Sequence, residues 1–60
     1  MYEKLITAIE SKGISKYRLA KLTNIHPSGI YNALNGKIPF YPGWKKRISK
    51  ALEIPEEDLF

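Results

Sequence analysis

The feature of this sequence that most limits its fold is the frequent return of residues that end or begin helices. Gly13, Asn24, Gly36 and Pro55 divide the 60 residues into short segments. Glycine and asparagine tolerate the left-handed conformation found after helix C-termini, and proline fits a first helical turn. Within the segments, apolar residues recur at three- and four-residue steps, with no alternating strand pattern and no repeat. The sequence therefore predicts an all-α domain, a compact bundle of four or five short helices.

Helix limits follow from the same residues. The predicted helices are residues 2–12, 16–23, 27–35, 42 or 43 to 52 or 53, and a brief fifth helix with Pro55 in its first turn. Ser15 and His26 are the expected N-caps of the second and third helices. The inner side of the second helix is expected to consist of Leu19, Ala20 and Leu22. One small core has to hold all these helices together, so the whole chain is predicted to be a single domain.

The charge of the chain is unevenly distributed. Ten Lys and Arg residues stand against six Asp and Glu residues, a net charge of +4. Four of the acidic residues fall within the last eight positions, so residues 1–52 hold ten positive and two negative charges, a net of +8. A basic body with an acidic end favours a polyanionic partner. The alternative is a soluble surface whose charge is merely uneven.

Several functional classes are disfavoured by composition. The chain has no cysteine and one histidine, too few ligands for a structural zinc site, and its carboxylates form no inner cluster. No apolar run is long enough to span a bilayer, and the first ten residues do not read as a secretory signal. We therefore expect no enzyme, no metal or other cofactor, no small-molecule substrate, no membrane association and a cytoplasmic location.

A pair of helices near the centre of the chain carries the functional prediction. Ala20 and Ile30 are ten positions apart, with Asn24 between them. A small side chain at position 20 lets two helices approach, and a β-branched side chain at position 30 fills the gap. Asn24 allows the chain to reverse between them. This pattern predicts a helix-turn-helix unit, in which helix 27–35 keeps one face exposed.

Over residues 14–60 the sequence resembles the helix-turn-helix domains of the phage repressor and Cro group, the XRE family. The matching residues are Ala20, Ile25, Ile30, the Asn35 and Gly36 pair, and the ending ISKALEIPEEDLF. Lys16 stands where the family often has glutamine, and Asn24 stands where it usually has glycine. Lys16 has no base-orienting amide, although it can reach a phosphate. The loop IPFYPGW is richer in aromatic residues than in most relatives.

The resemblance implies a lambda-repressor-like domain that inserts helix 27–35 into the major groove of a double-stranded DNA operator. The implied base contacts are Pro27, Ser28, Tyr31 and Asn32. Asn32 is the best candidate, because an amide can form two hydrogen bonds with adenine. Ser28 can donate to or accept from several bases, and Tyr31 could contact a thymine methyl group or a phosphate. Pro27 has no donor and would contribute only shape or apolar contact.

The implied contacts with the DNA backbone supply most of the affinity. They are Lys16, Arg18, Gly29, Asn35, Lys37, Lys45 and Lys46. For Lys4, Lys12 and Lys50 a solvated surface is the favoured interpretation. Gly29 is costly inside a helix, and we expect it to permit close approach to DNA or to the second helix, or to be a tolerated first-turn glycine.

Two other residue types need a separate interpretation. His26 is expected to cap a helix or touch the groove edge rather than bind metal. Trp44, Phe40 and Tyr41 are expected in the core or an interface rather than in a base-stacking platform.

The leading hypothesis is a sequence-specific transcriptional regulator in a bacterial or phage-infected cell, most like a small Cro-like repressor. With no second domain expected, a homodimer on DNA would use the aromatic loop and residues 54–60. The alternative is a protein-binding module on the same scaffold, such as an antitoxin or anti-repressor. Binding of the fourth helix to a membrane surface is disfavoured, because the core needs its apolar face.

Overall fold

Five α-helices and their short connections make up the computed structural model, which describes residues 2–60. The helices are α1 (Glu3–Ser11), α2 (Lys16–Thr23), α3 (Pro27–Leu34), α4 (Pro42–Leu52) and α5 (Glu56–Leu59). No strand occurs among these residues, so the predicted all-α class is confirmed. The predicted α2 limits are correct. Helices α1 and α3 are shorter than predicted, because Tyr2, Lys12 and Asn35 are caps outside them, and Pro55 is the N-cap of α5 rather than part of its first turn.

The helix ends are formed by the residues that the sequence singles out. Ser15 caps α2, and its Oγ accepts a hydrogen bond from the backbone N–H of Arg18 at 3.0 Å. Asn24 ends α2 with φ 57° and ψ 35°, in the left-handed region. Gly36 follows α3 with φ 79°, which a residue bearing a side chain rarely adopts. These local conformations reverse the chain between α2 and α3 and end α3 cleanly.

Every helix contributes to one core. The largest fully buried side chains are Leu5, Leu19, Ile30, Ile48, Leu52 and Leu59. α2 packs against both α3 and α4, while α5 packs against α1 and α4. The buried side chains of α3 therefore attach it to a body that the other four helices build.

The inner side of α2 differs from prediction at one position. Leu22 is 48% exposed, and Thr23 is buried in its place. A buried hydroxyl is costly unless it is hydrogen-bonded, and Thr23 Oγ1 donates to the backbone carbonyl of Leu19 at 2.8 Å. At 100° per residue, Thr23 lies within the arc between Leu19 and Ala20, whereas Leu22 lies about 60° outside that arc. The prediction that Leu22 faces inward is therefore wrong.

The reason for a glycine in the first turn of α3 also differs from prediction. A Cβ added at Gly29 would lie 3.0 Å from Cη2 of Trp44 and 3.5 Å from Cγ2 of Ile25. The indole of Trp44 belongs to α4, so the close approach within the domain is to α4 and not to α2. A side chain at position 29 would crowd the tryptophan of α4, and glycine leaves the space that this indole needs.

This contact predicts opposite effects for the same substitution at two glycines. Gly29→Ala should lower the free energy of unfolding by about 1 kcal/mol, because its methyl group overpacks the Trp44 contact. Gly43→Ala, in the first turn of α4, should raise it by up to about 1 kcal/mol, because an added Cβ meets nothing within 4 Å there. Urea unfolding followed by circular dichroism measures both. Equal stabilisation by the two substitutions would contradict the packing of Trp44 on Gly29.

Aromatic rings tie the loop before α4 to the two ends of the described chain. Phe40 is buried, with its ring centroid 4.8 Å from that of Tyr2 and 5.1 Å from that of Phe60. Trp44 is half-buried and meets the Tyr41 ring edge-on at 4.9 Å. The expected core role thus holds for Phe40 and in part for Trp44, whereas Tyr41 is 45% exposed.

The apolar side of α4 is taken up by the core, where Ile48 and Leu52 are fully enclosed. Because the core encloses these apolar side chains, little apolar surface of α4 is available for binding to a membrane surface. Across residues 2–60, no helix combines the length and the apolar character that crossing a membrane requires.

Candidate nucleic-acid interface

Helix α3 has two clearly different sides. Ile30, Ala33 and Leu34 are buried and attach the helix to the core. On the remaining surface, Ser28 and Tyr31 are exposed, and Pro27 and Asn32 are half-buried. All four residues predicted to contact bases thus keep surface that a partner can reach. A fixed inner side and an accessible outer side suit a helix that must present side chains in a constant orientation.

Helix α3 itself carries no charged residue. Its accessible groups are a hydroxyl, a phenol and an amide, all of which form directional hydrogen bonds. The acidic residues Glu56, Glu57 and Asp58 occupy the first turn of α5, which packs against α1 and α4. The strongest local negative charge is therefore on a different helix from the candidate interface.

The N-terminus of α3 is organised by a contact that the sequence analysis did not predict. His26 is the N-cap, and its Nδ1 accepts a hydrogen bond from the backbone N–H of Ser28 at 3.2 Å. The Oγ of Ser28 lies 2.8 Å from the same Nδ1 atom. Pro27 occupies the first helical position, where a missing N–H leaves no bond unmade. The cap was predicted, but its link to a candidate base-contacting side chain was not.

A shallow hollow lies between α2 and the start of α3. Its lining includes Tyr17 and Lys21 from α2, and His26 and Pro27 from the α3 end. The Nζ atom of Lys21 lies 5.4 Å from the ring centroid of Tyr17, within range of a cation–π interaction. Neither residue was among the predicted contacts. Their spacing with Asn24 along one face of α2 is the sequence signal that could have identified them.

The predicted backbone-contacting residues lie in different surroundings. Arg18, Asn35, Lys37 and Lys46 are exposed. Lys16 is exposed too, and it shares a second hollow, between α1 and α2, with Glu10. Exposed cations thus occur at the start of α2, just after α3 and on α4.

Two of the predicted backbone contacts already have partners within the domain. The Nζ atom of Lys45 lies 5.5 Å from the ring centroid of Phe60. The backbone N–H of Gly29 donates to the carbonyl of His26 at 2.9 Å. A phosphate contact at either residue would have to compete with these interactions, so Lys16, Lys37 and Lys46 are the better candidates.

Within residues 2–60, no three His, Cys, Asp or Glu side chains come together in a group that could hold a metal ion. Comparison of the chain with protein-family models, with curated proteins and with solved structures finds no match.

Proposed function

We propose that this domain is a sequence-specific DNA-binding regulator of the phage repressor and Cro type, with α3 as the helix that enters the major groove. The observation that carries the proposal is the two-sided character of α3. Its inner side is held by the core, whereas its outer side presents Ser28, Tyr31 and Asn32 to solvent. The major groove admits an α-helix and displays a distinct donor and acceptor pattern for each base pair.

The distribution of charge supports the same function. Affinity for DNA comes largely from cations that neutralise phosphates, whereas base recognition comes from directional polar groups. Here the polar groups are on the uncharged α3, and cations such as Lys16 and Lys37 precede and follow it along the chain. A repressor acting on an operator in this way would work in the cytoplasm of a bacterial or phage-infected cell.

Selection of bound sequences from random DNA duplexes tests the proposal. We expect one enriched motif, and a palindromic motif with half-sites about one helical turn apart would show binding as a dimer. The selection should be run beside a Ser28→Ala, Asn32→Ala double variant as a control for base recognition. No enrichment with the wild-type protein, or the same motif with the double variant, would contradict base recognition by α3.

The phosphate contacts predict a change in salt dependence. Lys16→Gln should weaken binding to all duplexes and should reduce the slope of log K against log salt by about one. Lys12→Gln is the matched control, because Lys12 is exposed at the end of α1 and is interpreted as solvated. Fluorescence anisotropy at several salt concentrations measures both slopes. Equal slopes for Lys16→Gln and the wild type would show that Lys16 does not contact a phosphate.

A second candidate function is favoured by one surface. Leu22 is 48% exposed and lines a hollow with the basic residues Arg47 and Lys50 of α4. An apolar side chain beside two cations is complementary to an acidic protein segment that carries an apolar residue. This second function is binding of a protein partner. Stable binding of one protein that Leu22→Ser abolishes, together with no shift of duplex DNA at moderate salt, would favour protein binding over DNA binding.

A further inference from the structure

We propose that His26 sets the hydrogen-bonding direction of the Ser28 hydroxyl, so that Ser28 selects bases that present an amine in the major groove. The inference rests on the proposed DNA-binding function and identifies the class of base read at one position. It also gives His26 a role as a positioning residue for base recognition, beyond its role as a helix cap.

A single nitrogen atom, Nδ1 of His26, faces two groups of Ser28. The backbone N–H of Ser28 can only donate, and it donates to His26 Nδ1 at 3.2 Å. Nδ1 therefore carries no proton, and the proton of the neutral ring is on Nε2. The Oγ of Ser28 lies 2.8 Å from the same Nδ1. Because Nδ1 is an acceptor in this tautomer, the hydroxyl of Ser28 must be the donor in this contact, and it shares the single lone pair of Nδ1 with the longer backbone N–H bond.

This contact fixes what Ser28 can offer to DNA. A serine hydroxyl has one proton and two lone pairs. With its proton directed to His26, the Oγ atom of Ser28 presents only lone pairs outward. In the major groove the exocyclic amines of adenine and cytosine are donors, whereas guanine N7 and O6 and thymine O4 are acceptors. A freely rotating serine hydroxyl could donate to the acceptors or accept from the amines, but Ser28 can only accept from the amines.

The surroundings of His26 leave this arrangement in place. The other ionisable side chains that line the hollow beside it are Tyr17 and Lys21, both from α2. Helix α3 has no acidic residue in its first turn. Ser28 and His26 are both exposed, so DNA can reach the lone pairs of Oγ and the N–H of Nε2.

Selection of bound duplexes with three variants tests the inference on DNA. Ser28→Ala identifies the base that depends on Ser28, where the wild type should prefer adenine or cytosine to guanine or thymine by roughly tenfold. His26→Ala removes the acceptor and should reduce that preference to about twofold or less. His26→Asn is the matched control, because a neutral amide oxygen also caps helices and accepts hydrogen bonds, so it should retain the preference.

Three results would overturn the inference while leaving DNA binding intact. They are an unchanged preference with His26→Ala, a wild-type preference for guanine or thymine at the Ser28-dependent base, and no base that depends on Ser28. Failure of the proposed DNA-binding function can be distinguished from failure of this inference, because no motif would then be enriched with the wild type or with any variant. Circular dichroism melting establishes that each variant is folded at the temperature of selection.

A measurement without DNA tests the first step independently. The ¹⁵N shifts of the imidazole in the free wild-type protein, recorded at a pH where the ring is neutral, report which nitrogen carries the proton. We expect a protonated Nε2 and an unprotonated Nδ1. A proton on Nδ1 would reverse the contact with Ser28 and overturn the inference, whatever the DNA selection gives.

Discussion

Replacing Ile30 with alanine should lower the free energy of unfolding by about 3 kcal/mol, because it leaves a cavity in a closed core. Ile30 has no exposed surface and joins α3 to the rest of the molecule, including α2 with its buried Ala20. A domain of this size is stable by roughly 3–9 kcal/mol, so this variant would lose between about a third and all of its stability. Urea and thermal unfolding followed by circular dichroism measure the loss.

Two matched variants separate the free-energy cost of the cavity from the cost of a substitution elsewhere on α3. Ile30→Val removes only one methylene group and should cost about 1 kcal/mol. Tyr31→Ala changes the next residue of the same helix, but Tyr31 is 42% exposed and should cost much less than Ile30→Ala. Should Ile30→Ala cost no more than Tyr31→Ala, the two sides of α3 would not differ as described, and the account of how α3 is held would be wrong.

Replacing Asn32 with alanine should weaken binding to the selected operator by roughly 5- to 150-fold, the equivalent of about 1–3 kcal/mol for a bidentate amide–base contact. The loss should be confined to one base pair. Changing that pair should weaken binding of the wild type but should have little further effect on Asn32→Ala. Anisotropy titrations of both proteins with both duplexes complete this double-mutant cycle.

The control for Asn32→Ala is a residue whose loss should not affect the choice of base. Lys16→Gln should weaken binding to both duplexes by the same factor, because phosphate contacts carry no sequence information. Asn32 is only half-buried, so Asn32→Ala should keep its fold and most of its stability. A uniform loss with Asn32→Ala, like that of Lys16→Gln, would mean that Asn32 does not read a base.

The helix ends could be predicted from the sequence because they depend on local chemistry. Ser15 caps α2, Asn24 adopts the left-handed conformation, and Gly36 follows α3, each as its residue type favours. Burial of Ala20 and Ile30 was also predicted, since the two helices follow one another closely in the chain. Such features require no knowledge of how distant segments pack.

The features that the sequence did not predict depend on packing or on a specific rotamer. Gly29 makes room for Trp44, fifteen positions later on another helix, which no local pattern reveals. Thr23 replaces Leu22 in the core because a hydrogen bond to a backbone carbonyl satisfies its hydroxyl. The bond between Ser28 and His26 requires a particular orientation of both side chains. These three features all bear on the surroundings of α3, where the proposed function resides.

The most direct test of the central claim, that the outer side of α3 contacts base edges, is the intermolecular nuclear Overhauser effect spectrum of the domain bound to its selected operator. We predict cross-peaks from Ser28, Tyr31 and Asn32 to major-groove protons, such as cytosine H5 and thymine methyl protons. Cross-peaks to these protons from α1 or α5 instead, with none from α3, would contradict the account.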